Sequence, residues 1–438
     1  MGNRSPLVGL IEQYYDAQPQ RVWDRLERHR TEFAVTMRAL QAHLSPPPAQ
    51  VLDCGGGPGR YAVELARRGH QVTLFDLSTA ALHLARENAA AAGVALAGYE
   101  HGSATDLSCF PDDSFDAVLL MGPLYHLLEE GERLQALTEA RRVLKPGSPC
   151  FAAFISRYAV PRWAAAREPS WPLEYPALLE KILATGVLPP GAEDGSSFVA
   201  HFAHPAQVGP FCQRAGLEVV TVLGVEGLVS MIEDGVNALS GAAWDTWVEL
   251  NCRVAADPSI HGCVEHLLAV TVKPRWRAVL RHIARRLDEA GLAYTVVGGT
   301  AVALHGVPVP VKDLDLMTSA EDAYRFQALF ADRVVDPVAL REGEIYRSHL
   351  GRFDFDGVTV EVMGDLYWRD ASGWVPVSVT THTTVDLDGV PVPVPWLEEG
   401  TLAYILRGRL DRAALCLPYC DRDRLLALWR EKRAMGIL

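Results

Sequence analysis

The stretch VLDCGGGPGRYA, residues 51 to 62, limits the possible folds more than any other part of this 438-residue chain. An apolar run that ends in glycines and passes into a helical pattern reads as a buried strand, a tight turn and a helix start. Such a turn brings backbone N–H groups close to a ligand. The glycines at Gly55, Gly57 and Gly59 follow Asp53, and position 60 is Arg. A dinucleotide fingerprint requires Gly or Ala there, so a pyrophosphate-binding turn is excluded. Gly-x-Gly-x-Gly after an acid suits a smaller ligand: Asp53 would face an ammonium group, and the glycines would leave room for a sulfonium and a ribose.

The flanking sequence repeats the strand–helix rhythm. QVLDCG, HQVTLFD, FDAVLLMG and PCFAAFIS are short apolar runs separated by helical stretches such as STAALHLARENAAAAG. This alternation predicts an α/β fold with a doubly wound, Rossmann-like parallel sheet. Before it, Trp23, Leu26, Phe33, Met37, Leu40 and Leu44 recur at helical steps, so residues 1–45 are expected to form a helical cap. Residues 157–204 break the rhythm with prolines and tryptophans and are expected to form an inserted lid, because about 50 residues is long for a plain connection. The first domain is placed at 1–274. A second, smaller α+β domain is placed at 275–438, opening on an amphipathic helix with Trp276, Val279, Leu280, Ile283 and Leu287 on one face.

The next strand of the first domain ends in LFDLS, and Asp76 lies where a carboxylate can accept both hydroxyls of a ribose, with Leu77 beside it. Together with HGSATDL, SFDAVLLMGPLYHL and EARRVLKPGS, in that order, these residues resemble the class I S-adenosylmethionine-dependent methyltransferases. The resemblance implies S-adenosylmethionine as cofactor, held by Asp53, Gly55, Gly57, Gly59, Asp76, Leu77, Ala104, Asp106 and Met121. Ser103 stands where such enzymes carry an acid, which leaves the adenine to the Ala104 backbone and Asp106. GPLYHLL falls where they place the methyl-accepting atom, so Tyr125 and His126 are the catalytic candidates, His126 as a base. Tyr14, Tyr15, His201 and His204 are candidate cover residues. Methyl transfer can also proceed by proximity alone, since the sulfonium is already activated.

A second glycine signature, VVGGTAVALHGVPVPVKDLDLM, occupies residues 296–317. Residues two apart on a strand share a face, so Asp313 and Asp315 can hold a divalent cation together. In FDFDGVTVEVMGD, Glu361 lies opposite the face of Val358, Val360 and Val362 and supplies a third acid. The arrangement resembles the nucleotidyltransferase superfamily, including antibiotic-modifying and toxin–antitoxin members. That resemblance implies Gly298 and Gly299 at the phosphates, Asp313, Asp315 and Glu361 as Mg²⁺ ligands, and an NTP. Val311 replaces a common threonine and Ile405 a common lysine, and Lys312 or Arg407 is a candidate substitute for that lysine.

The net charge is −13. Residues 1–274 carry 31 acidic and 21 basic side chains, a net of −10. This argues against nucleic-acid binding and favours a small-molecule acceptor. The eight scattered cysteines include no CxxC pair and suit a reducing compartment, with Cys416 and Cys420 expected as buried thiols on one helix face. With no apolar run long enough for a bilayer and no signal-peptide core, a cytoplasmic protein is expected. The chain therefore reads as a small-molecule methyltransferase fused to a nucleotidyltransferase-like domain that acts on, or regulates, the same pathway. Two alternatives stay open: a protein that is primarily a nucleotidyltransferase, and a methyltransferase whose second domain is a catalytically dead binding or dimerising module. A homodimer is compatible with both.

Overall fold

A computed structural model describes residues 6–370 and 373–434. The chain divides into two compact units, Met1–Lys273 and Pro274–Leu438.

In the first unit, β1 (Gln50–Cys54), β2 (Gln71–Asp76), β3 (Gly98–His101), β4 (Ala117–Leu120) and β5 (Pro149–Ser156) pair in the order β3-β2-β1-β4-β5, all parallel. The four residues of β4 are all buried, as expected for a strand covered on both faces. Leu52 and Val118 pack into one core layer and Val51 and Leu119 into the other. Residues 157–204 fold into three helices, Ala159–Arg167, Trp171–Glu174 and Pro176–Thr185, and a small hairpin of β6 (Val187–Leu188) and β7 (Ala200–Ala203). Trp171, Ile182 and Phe202 give this segment a core of its own. The sheet closes with β8 (Glu218–Gly224) and β9 (His266–Val272), which run antiparallel, so its far edge is mixed. The N-terminal region forms three helices, Pro6–Ala17, Pro19–Arg28 and Arg30–His43.

In the second unit, β10 (Thr295–Val297), β11 (Asp313–Thr318), β12 (Val334–Glu342), β13 (Tyr346–Phe355) and β14 (Val358–Asp370) form a sheet of order β10-β11-β14-β13-β12. Only β11 and β14 pair in parallel; β15 (Gly373–Pro376) extends β14. Leu280, Ile283 and Leu287 of helix Arg275–Glu289 and Phe326 of helix Ala320–Leu329 cover the apolar face made by Leu314, Leu316, Val360 and Val362. Trp276 and Val279 pack at its margin.

One expectation is corrected here. Cys416 ends helix Leu410–Cys416, and a separate 3-10 turn, Leu417–Tyr419, precedes Cys420. The two thiols are not on one helix face. Both pack into the same small cluster, where Thr401 Oγ1 lies 3.2 Å from Cys420 Sγ. Among the described residues, no helix is long and apolar enough to cross a membrane.

Candidate functional sites

The carboxyl ends of β1 and β2 open into a cavity of about 1230 Å³. A pocket for one drug-sized ligand spans roughly 300–1,000 Å³, so this one has room for two partners side by side. Asp53 lies on its wall, 1% exposed, and its Oδ2 has no hydrogen-bond partner. Burial, helped by the nearby Asp76 charge, pushes its carboxyl up to about 7. An orphaned, desolvated carboxylate oxygen is what an incoming ammonium would satisfy. Gly55 turns the chain at φ +77°, and a Cβ there would stand 2.3 Å from Pro123 Cδ, so no other residue fits. Gly59 precedes helix Arg60–Arg67, while the Gly57 N–H donates to Asp76 Oδ2 at 2.8 Å. The Ser78 N–H donates to Asp76 Oδ1 at 2.8 Å, and burial raises this carboxyl too. Leu77, Ala104 and Met121 also line the cavity. Asp106 does not: it is exposed and accepts the Ser108 N–H at 3.1 Å, which caps a local turn.

Tyr125 ends the short 3-10 turn after β4, His126 follows it, and both reach the same cavity. His126 is 6% exposed. Its Nδ1 lies 2.7 Å from the carbonyl of Val199, which can only accept, so Nδ1 carries the proton. Its Nε2 faces the Tyr15 hydroxyl in a short contact. Burial lowers the imidazole to about 4 and raises the Tyr15 phenol, so the neutral pair has Tyr15 donating to a bare Nε2. Burial also lifts Tyr125 to about 12. Helix Pro6–Ala17 supplies Tyr15 and the 157–204 segment supplies Val199, so the imidazole ties both to the sheet. Tyr14 lines the cavity as well. His201 and His204 do not, and His204 Nδ1 instead accepts the Ala206 N–H at the start of helix Pro205–Arg214.

A partly buried ionic group reaches the same wall through Arg25, Glu32 and His266, with no counterpart in the sequence pattern. Arg25 donates to both oxygens of Glu32 at 3.1 and 2.7 Å, and His266 Nδ1 donates to Glu226 Oε1 at 2.6 Å. Burial raises Glu32, but Arg25 and His266 outweigh this and hold it at about 2. Glu32, Glu226 and His266 bring ligand atoms within 4.8 Å of one another. Arg25 already supplies the positive charge a metal would bring. These residues are up to 241 positions apart in the chain, beyond the reach of any local pattern.

In the second unit the carboxylates gather where β10, β11 and β14 meet. Asp315 pairs in register with Val297 on one side and Glu361 on the other. Leu314 and Leu316 point into the core, leaving Asp313 and Asp315 together on the opposite face. Gly298, at φ +66°, begins helix Gly298–Leu304, and a Cβ there would fall 2.2 Å from Asp315 Oδ2. Burial first, then the Asp313 and Glu361 charges, push Asp315 up to about 7, while Arg407 pulls it down. A Cβ at Gly299 would only touch the Pro310 carbonyl oxygen, at 3.9 Å. Glu361 is engaged: Arg352 Nε donates to its Oε1 at 2.7 Å. The three acids do not close to within 4.8 Å as a set among the described residues. Mg²⁺ commonly takes only one or two carboxylates and completes its shell with phosphates and water, so Asp313 and Asp315 fit it. Of the two cations considered for the missing lysine, Arg407 is the one that acts on Asp315.

Comparison with known proteins finds a family match within each unit. A family model described as "Methyltransferase domain" matches residues 51–147, and one described as "Aminoglycoside-2''-adenylyltransferase" matches residues 279–415. The ubiquinone biosynthesis O-methyltransferase of Xanthomonas axonopodis pv. citri is 30% identical over 219 residues, 50% of this chain and 81% of that protein. The tRNA 5-carboxymethoxyuridine methyltransferase of Escherichia coli is 32% identical over 120 residues, 27% of this chain and 45% of that one. A crystal structure of a putative nucleotidyltransferase from Thermotoga maritima is 35% identical, covering 34% of this chain and 93% of that one, with a TM-score of 0.30. The chain thus belongs to the S-adenosylmethionine-dependent methyltransferases and carries a second, nucleotidyltransferase-like unit.

Proposed function

We propose that the first unit methylates a hydroxyl group of a small molecule, and that the second unit carries out Mg²⁺-dependent nucleotidyl transfer in the same pathway. The observation that carries the first half is the continuity of one cavity from the Asp53–Asp76 cradle to the Tyr15–His126 pair. S-adenosylmethionine supplies a methyl group already activated on a sulfonium. Asp53 would hold its ammonium group, and Asp76, oriented by the Gly57 and Ser78 N–H groups, its ribose hydroxyls. Tyr15 and His126 receive the acceptor's proton: Tyr15 takes it on the phenol oxygen while passing its own to His126 Nε2. Val199 holds the resulting imidazolium through Nδ1. The positive charge lost at sulfur reappears on the imidazole, so the enclosed site keeps its net charge. The oxygen acceptor is supported by the bare Nε2 and by the O-methyltransferase relatives.

In the second unit, Asp313 and Asp315 would hold Mg²⁺, which supplies charge neutralisation at a nucleotide's phosphates. Arg407 would add positive charge beside them. The Arg352–Glu361 ion pair supports a second reading, in which this unit binds nucleotide without turnover, because the third acid is already neutralised. The acidic first half supports a small-molecule acceptor rather than nucleic acid, and a cytoplasmic, homodimeric protein completes the proposal. The test is thermal unfolding of the full chain with S-adenosylhomocysteine and, separately, with Mg²⁺ and each NTP. A ligand at a hundred times its Kd stabilises its unit by about 2.7 kcal/mol. A shift with S-adenosylhomocysteine is expected. Its absence would sink the methyltransferase half, and indifference to every Mg²⁺–NTP pair would sink the nucleotidyltransferase half.

A further inference from the structure

We propose that Glu233 binds an ammonium group of the methyl acceptor, which makes the acceptor an amine-bearing small molecule. The proposal rests on the methyltransferase reading and adds the chemical class of its substrate.

Glu233 lines the first unit's cavity and is 7% exposed. His29 Nδ1 lies 3.1 Å from its Oε1, and its Oε2 has no partner. Among the described residues, only two carboxylates have a buried oxygen left in this condition, Asp53 and Glu233, and both are on this one cavity wall. Leaving such an oxygen unsatisfied is costly. The cofactor's ammonium accounts for Asp53. Nothing in the cofactor's chemistry calls for a second ammonium site, so Glu233 is left for the acceptor.

The surroundings of Glu233 point to a ligand group that only donates. Asn237, four residues on, also lines the cavity, and its Nδ2 donates to the Arg28 carbonyl at 2.5 Å. That contact sets the amide's orientation and leaves Oδ1, which is buried without a partner, as a free acceptor. An ammonium offers three donors and no acceptor, which matches an open carboxylate oxygen beside an open amide oxygen. His29, whose imidazole Glu233 holds above its ordinary range, engages only Oε1, and the nearby arginines are committed elsewhere. Arg30 donates to the backbone carbonyls of Asn237 and Leu239 and lies 4.0 Å over the Trp244 ring, and Arg25 is paired with Glu32. Asp234 adds a further carboxylate to the wall. Met231 holds φ +70° at the start of this segment, a backbone strain that non-glycine residues adopt mainly where function requires it. Arg162, from the 157–204 segment, donates to the Ser230 carbonyl at 3.1 Å, so the binding segment is tied to the cavity's cover. Among the described residues, ten carboxylates against six arginines and the protonated His266 line the cavity, an acidic excess that favours a cationic guest.

The experiment uses the full chain saturated with S-adenosylhomocysteine and measures calorimetric binding of matched pairs: tyramine against N-acetyltyramine, and glucosamine against N-acetylglucosamine. Each N-acetyl partner keeps an N–H donor and loses the charge. The expected result is that at least one amine binds about tenfold or more tightly than its N-acetyl partner. Glu233→Gln should erase that preference, and Glu233→Asp should reduce it. Retained stabilisation by S-adenosylhomocysteine shows that each variant is folded, and if the Gln variant fails that check the Asp variant decides. S-adenosylhomocysteine binding with no preference for either amine, or a preference that survives both substitutions, overturns the proposal. A wild-type protein indifferent to S-adenosylhomocysteine would instead overturn the methyltransferase reading beneath it.

Discussion

Asp53 and Asp315 are both raised to about 7, yet they sit in opposite kinds of site. Asp53 is an isolated acid in an enclosed cavity, 1% exposed, with one oxygen unpartnered and Asp76 as its nearest like charge. Asp315 is partly buried on a sheet face it shares with Asp313 and Glu361, with Arg407 as a counterweight. The first environment calls for a single organic cation that brings its own hydrogen bonds. The second concentrates several negative charges that a small divalent ion can neutralise at once. Two similar perturbations thus point to two different ligands, and the partners of each acid tell them apart.

The largest effect is expected at the clustered acids of the second unit. Asp313→Asn together with Asp315→Asn should reduce Mg²⁺-dependent nucleotidyl transfer by about 1,000-fold while S-adenosylhomocysteine binding stays unchanged. Incorporation of a labelled nucleotide measures the first and calorimetry the second. Equal activity in the double variant would show that these carboxylates are a strand edge and end the comparison.

The enclosed site should show an effect on stability. Asp53 titrates higher in the folded state than in the unfolded chain, so ionising it costs stability as pH rises from about 4 through about 7. Asp53→Asn should therefore stabilise the ligand-free first unit above pH 7 by about 2–4 kcal/mol, with the gain shrinking as pH falls towards 4. The same variant should lose affinity for S-adenosylhomocysteine. Thermal unfolding across pH, with and without that ligand, reads both, and destabilisation at pH 8 would mean that Asp53 already has a partner.

Smaller changes sharpen the roles within the cavity. His126→Ala should lower methyl transfer by about 100-fold and Tyr15→Phe by about tenfold, because proximity still drives the reaction without a proton acceptor. The two variants should also shift the pH–rate profile alike if they act as one relay. Full activity in Tyr15→Phe would reduce the pair to a latch between helix Pro6–Ala17 and the 157–204 segment.

Local pattern made much of this legible. The parallel strands, the Gly55 turn, the shared face of Asp313 and Asp315, and Glu361 across from the valines all follow from periods of two and 3.6 along the chain and from glycine's freedom at positive φ. Two expected site residues are held by local contacts: Asp106 accepts from the Ser108 N–H, as a short polar side chain near a turn commonly does, and His204 accepts from the Ala206 N–H at the start of a helix. The antiparallel β8–β9 edge was equally unreadable, since a buried apolar strand does not announce its direction.

What the sequence determined by itself was the presence of two sites and the chemistry of their local frames, since a strand, a turn and the residues two apart on it are set within a few positions. The tertiary structure alone decided which distant groups complete them. It brought Tyr15 to His126 across 111 positions, His29 to Glu233 across 204, and Arg352 to Glu361 across a strand pair. Burial and proximity set a side chain's charge and its free valences, and both depend on neighbours that chain distance does not reveal.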